Sequence, residues 1–117
     1  MRLIKAFLLT LVLLLLLVSP LLADTYVSGE ITQNITWTVA GSPYIVTGDI
    51  TIRGAGSGQT ATLTIEPGVV VKFQNDCCMY VGTGGPKYGA IKAQGTASNP
   101  IIFTSASATP AKGDWRG

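Results

Sequence analysis

Three short apolar runs in this chain each close on a basic residue: Ile50-Thr51-Ile52-Arg53, Val69-Val70-Val71-Lys72 and Ala90-Ile91-Lys92. The closing positions, 53, 72 and 92, are almost evenly spaced. A second set of runs falls between them: Leu63-Thr64-Ile65, Tyr80-Val81 and Ile101-Ile102-Phe103. Alternating apolar and polar positions over so few residues predict strands. A strand pattern recurring about every 20 residues predicts a solenoid, in which each coil covers the next. On this reading Ile50/Ile52, Val69/Val71 and Ile91 stack inside, and Arg53, Lys72 and Lys92 form an outward row near a bend. Ile31, Ile35, Trp37 and Val39 alternate in the same way in a preceding entry segment. No stretch after residue 23 repeats apolar residues at helical spacing, so essentially no helix is expected there.

Turn residues punctuate the runs. Pro67-Gly68 has the chemistry of a type II turn, with Pro fixing φ and Gly taking the positive value. Gly54 to Gln59 and Gly82 to Gly89 are glycine-rich loops, the first expected to be mobile. The N-terminus is different in kind. Arg2 and Lys5 precede an apolar Leu-rich core from Ala6 to Val18, then Ser19-Pro20 and a small residue at Ala23. That order predicts a secretory signal peptide cleaved after Ala23. An uncleaved membrane anchor is the competing reading. The expected organisation is therefore signal peptide 1–23, entry or capping segment 24–47, and coils from 48 to 117. The expected location is secreted or cell-surface.

Charge then excludes one class of partner. The whole chain carries +2, and Arg2 and Lys5 supply that excess. After residue 23 six basic residues balance six acidic ones, so no cationic surface remains for nucleic acid. A membrane partner is expected only through the signal segment, if uncleaved. The runs LTIEPGVVVKF and GAIKAQGTASNPIIFTSASATPAKGDWRG resemble those of secreted right-handed parallel β-helix repeat proteins of the surface type. The resemblance covers about residues 44–117. It implies an all-β fold, a right-handed parallel β-helix that is a single-stranded solenoid of about four coils following an N-terminal signal helix. In that family the Trp115-x-Gly117 element leads into further coils, so the chain is expected to be the N-terminal part of a longer β-helix.

Candidate chemistry adds little. With no His, neither a Ser nor a Cys triad can be built. Asp49, Glu66, Asp76 and Asp114 would need coincident coil positions to act together, and each has a local turn role. No metal or other cofactor is expected. Cys77 and Cys78 are the only cysteines. A vicinal disulfide between them is one candidate; one thiol inward and one outward is the other reading. Tyr88 and Trp115, with the row Arg53, Lys72 and Lys92, are the candidate glycan contacts. Asn34-Ile35-Thr36 is a glycosylation acceptor pattern. Expected partners are surface glycans or other coils of the same, longer protein. The function expected is a non-enzymatic structural or adhesive module. The alternative is the N-terminal part of a polysaccharide lyase or glycoside hydrolase.

Overall fold

A computed structural model describes residues 23–117, and the expected signal helix lies outside them. Eight strands follow in order: β1 (Thr25–Ile31), β2 (Ile35–Trp37), β3 (Tyr44–Ile52), β4 (Thr60–Ile65), β5 (Val70–Phe73), β6 (Met79–Val81), β7 (Tyr88–Ala93) and β8 (Ile102–Ser105). Helix among the described residues is limited to one 3-10 turn, Val39–Gly41. Every strand pairing is parallel. One sheet runs β1-β3-β5-β8 with β6 also on β3, and the other runs β2-β4-β7. Successive coils thus add strands to both sheets, which makes a parallel β-helix. Among the described residues no helix is long and apolar enough to cross a membrane.

The coil is longer than the sequence spacing implies. Leu63 pairs with Ile35 on one side and with Ile91 on the other. Tyr44 pairs with Val71, and Ile50 with Met79. Each of these steps exceeds the interval between positions 53, 72 and 92. Only the first step, from Thr25 to Tyr44, is as short as that interval. The steps from 53 to 72 to 92 compare residues on different sides of the coil, so they do not measure its circumference. The alternation from Ile31 to Val39 likewise crosses a corner: it is split between β1, β2 and the 3-10 turn.

Side chains that pair in register form ladders at about 4.8 Å per step. Val27–Val46–Phe73–Ser105 and Thr25–Tyr44–Val71–Phe103 line one sheet's inner face, and Ile35–Leu63–Ile91 lines the other's. Coils in the middle are sealed: Val46, Ile50, Ile52, Leu63, Ile65, Val71 and Phe73 are buried. Ile91, expected inside with Ile50 and Val71, belongs instead to the opposite sheet. It lies on edge strand β7 and is 38% exposed. Trp37 and Tyr44 join the two sheets, their rings stacked 4.6 Å apart at 9°. The Tyr44 hydroxyl accepts from Thr38 N and reaches Thr38 O, which closes the corner.

The Pro67-Gly68 turn bears out its chemistry. Gly68 has φ +86°, and Val69 N–H donates to Glu66 O at 3.3 Å, as a type II turn requires. The Gly54–Gln59 loop, by contrast, is pinned rather than loose. Gly54 N–H donates to Tyr88 O, and Gly58 N–H donates to Pro86 O in the next coil's glycine loop. Inward backbone groups need partners, and the neighbouring coil supplies them. Asn34 Oδ1 accepts from Thr62 N at 3.0 Å, standing in for a strand carbonyl beside the short β2. The acceptor asparagine therefore already has a structural role.

Candidate functional site

The sheet containing β3 is interrupted at one corner, and chemistry-bearing residues collect there. Between its two paired halves β3 has Thr47-Gly48-Asp49, and the next coil has Gln74 to Cys78. Asn75-Asp76 makes the turn: Cys77 N–H donates to Gln74 O, and Asp76 takes φ +61°. Asp tolerates that left-handed conformation better than most residues. The Asp49 carboxylate reaches along the axis to the next coil, where its Oδ1 accepts from Cys78 N at 3.0 Å.

The segment after β8 returns over this corner as a strap. Asp76 N–H donates to Asp114 O, Arg116 N–H to Cys77 O, and Met79 N–H to Gly117 O. Arg116 Nε also donates to Asp76 O at 2.9 Å, and its guanidinium stands 3.8 Å from Asp49 Oδ2. Trp115 lays its ring on Phe73, 4.2 Å between centroids and 8° from parallel. Asp114 folds the strap onto itself: its Oδ2 accepts from the Ser105 hydroxyl at 2.7 Å and from Ala111 N at 2.9 Å. Those two bonds, the Ser105 one foremost, hold its carboxyl below the ordinary carboxylate range.

The sign of that shift sets a pH dependence. A depressed folded pKa stabilises above the unfolded value and is lost as pH falls through the folded one. The strap is therefore expected to be clasped at neutral pH and to loosen below about pH 4. Hydrogen exchange at Ala111 and Ser107 across that range checks it. Asp114→Asn should show the loosened pattern at neutral pH, and an unchanged exchange rate in that variant would contradict the clasp.

Three of the four residues that carry candidate carboxylates, Asp49, Asp76 and Asp114, thus share one corner, where Arg116 stands against the Asp49 carboxylate and the Asp76 carbonyl. Sequence spacing gave no sign of this, because the coils between them differ in length. Glu66 lies elsewhere and accepts from Val39 N. The Asp49 and Asp114 carboxylates face hydrogen-bond partners rather than one another. Among the described residues no three His, Cys, Asp or Glu side chains converge on a metal position.

The two cysteines occupy different surroundings at the same corner. Both are 6% exposed and unbridged. Cys77 belongs to the hydrophobic core cluster; Cys78 does not. Burial first, then Asp49 and the neighbouring Cys78 and Asp76, push the Cys77 thiol up from its ordinary value. Tyr80 is exposed, and hydrogen bonding to the Cys78 side chain is the main reason its phenol is pushed up.

The five candidate glycan contacts are not brought together. Arg53 is ion-paired with Glu30 just past the end of β3. Lys72 sits in β5, in register with Ile45 and Thr104. Lys92 is on β7 of the other sheet, opposite Thr64. The single cationic row expected from their even spacing along the chain is therefore not formed. Tyr88 opens β7 and is 54% exposed, whereas Trp115 is partly buried on Phe73.

A family described as a pectate-lyase-like β-helix domain matches residues 29–117. The chain belongs to that family. The match spans both sheets and the strap, so the pectate-lyase-like β-helix domain comprises every strand from the latter part of β1 onward. Searches of curated proteins and of solved structures returned no match.

Proposed function

We propose that this pectate-lyase-like β-helix domain serves as a non-enzymatic module, secreted or at the cell surface, with a structural or adhesive role. One observation carries the reading. Where acidic and basic side chains do gather, three of them are committed to holding the fold: Asp49 to Cys78 N, Asp114 to the Ser105 hydroxyl and Ala111 N, Arg116 to Asp76 O. A general acid or base needs an atom free to give or take a proton within reach of substrate. These atoms are occupied by corners and the strap. The ladders supply the stiffness of a spacer. Exposed Tyr88 and Lys92, with half-buried Lys72, offer contacts for sugar rings and acidic groups.

The second reading, part of a polysaccharide lyase or glycoside hydrolase, draws on family membership and on the meeting of three aspartates with Arg116. Assays on uronate-bearing and neutral glycans separate the two. The proposal expects retention on immobilised glycans, weakened by Tyr88→Ala or Lys72→Ala, with no new reducing ends and no unsaturated product. Turnover that disappears in Arg116→Lys would sink the proposal and establish the second reading.

A further inference from the structure

We propose that Cys77 and Cys78 form a redox switch controlling whether the 106–117 strap docks. One peptide unit links the two cysteines to the strap. The Cys77 carbonyl accepts from Arg116 N at 3.0 Å, and the Cys78 N–H donates to Asp49 Oδ1 at 3.0 Å. Both polar groups of the 77–78 peptide are thus engaged, one by the strap and one by the preceding coil. In this dithiol form the Cys77 side chain lies in the core cluster and Cys78, though equally buried, lies outside it.

A disulfide between adjacent residues must bring both sulfurs to one side. Neighbouring Cα atoms are about 3.8 Å apart across a trans peptide, below the roughly 4.4–6.8 Å of ordinary disulfides. Closing the eight-membered ring therefore turns the 77–78 peptide. The turn removes the acceptor of Arg116 N and the donor to Asp49 together. The strap's other bonds to this corner, Asp76 N to Asp114 O, Met79 N to Gly117 O and Arg116 Nε to Asp76 O, flank the same unit and lose their alignment. Ring closure and the docked strap are mutually exclusive.

The chemistry balances with a small-molecule disulfide as oxidant. A thiolate of the pair attacks the external disulfide, giving a mixed disulfide and one free external thiol. The second cysteine attacks that mixed disulfide, giving the ring and a second external thiol. The two protons lost by the cysteines end on the two external thiols. Both cysteines are shielded in the docked form, so exchange proceeds through local opening of the strap. The ring then prevents re-docking. Its strain makes it easily reduced, so the switch returns under a thiol reductant. These are the chain's only cysteines, so no other intramolecular bridge competes.

The test uses the full chain, reduced and then incubated with oxidised glutathione. Ring formation lowers the intact mass by about 2 Da and yields one peptide containing both linked cysteines. The expected result is cleavage by trypsin after Lys112 and Arg116 several-fold faster in the ring form, restored to the slow rate by dithiothreitol. Cys78→Ser cannot close the ring and should keep the slow rate in the oxidant. If that variant does not fold, reversal in the wild-type chain remains the control. The proposal is overturned by a ring form cut at the unchanged rate, by a stable glutathione adduct without a ring, or by thiols that stay unreacted.

Discussion

Phe73→Ala is expected to lower the free energy of unfolding by about 3–5 kcal/mol. Phe73 is the largest fully buried side chain among the described residues. It sits in the ladder between Val46 and Ser105, and its ring is covered by Trp115. Truncation therefore loses buried area, opens a cavity among already sealed coils and removes the surface on which the strap rests. The neighbouring Phe103, centred 6.5 Å away, belongs to edge strand β8 and is 37% exposed. Phe103→Ala should cost much less, because solvent and relaxation fill the space it leaves. Urea unfolding monitored by circular dichroism compares the two through their midpoints at constant slope. Equal costs would mean that the ladder position of Phe73 does not set its contribution.

Gly89→Ala should cost about 3 kcal/mol, for a reason unrelated to backbone preference. Gly89 lies inside β7 with an ordinary φ. A Cβ there would run into the Ile52 carbonyl oxygen and stand 2.6 Å from Gly82 N. The colliding atoms are backbone at the end of β3 and in the adjacent loop, where Gly82 N–H donates to Ile52 O. Neither can retreat without breaking that bond. Gly84→Ala makes the informative contrast. A Cβ at Gly84 meets nothing within 4 Å, but φ is +75°. Its cost should be about 1–2 kcal/mol, the ordinary penalty for a left-handed alanine. The same urea series ranks them, and a Gly89→Ala protein as stable as Gly84→Ala would contradict the close approach.

The strands, the type II turn at Pro67-Gly68 and the solenoid class were legible in the sequence, because alternation and turn chemistry are local. Circumference was not. Arg53, Lys72 and Lys92 keep a regular spacing along the chain yet belong to different positions around the coil. Register depends on how many residues each corner consumes, and the corners differ. The same uncertainty hid the meeting of Asp49, Asp76 and Asp114, which are far apart along the chain. Asp76 does sit in a turn, and Asp114 closes one with Ala111. What the sequence lacked was any sign that these positions share one edge of the helix. The separate surroundings of Cys77 and Cys78 follow from the turn at Asn75-Asp76, and the strap that covers them comes from beyond β8.

That edge lengthens from coil to coil. Between matching strand halves it holds Ser28 alone, then residues 47–49, then residues 74–78. Strand pairing resumes beyond it every time, with Gly29, Ile50 and Met79 in one row. The perimeter of this solenoid is therefore not a constant of the fold. It widens on one side like a ramp, while the apolar interior keeps its alignment. Sequence added at that side changes the outline of the molecule and leaves its inner rows untouched, so shape can diverge there without a new core having to be built.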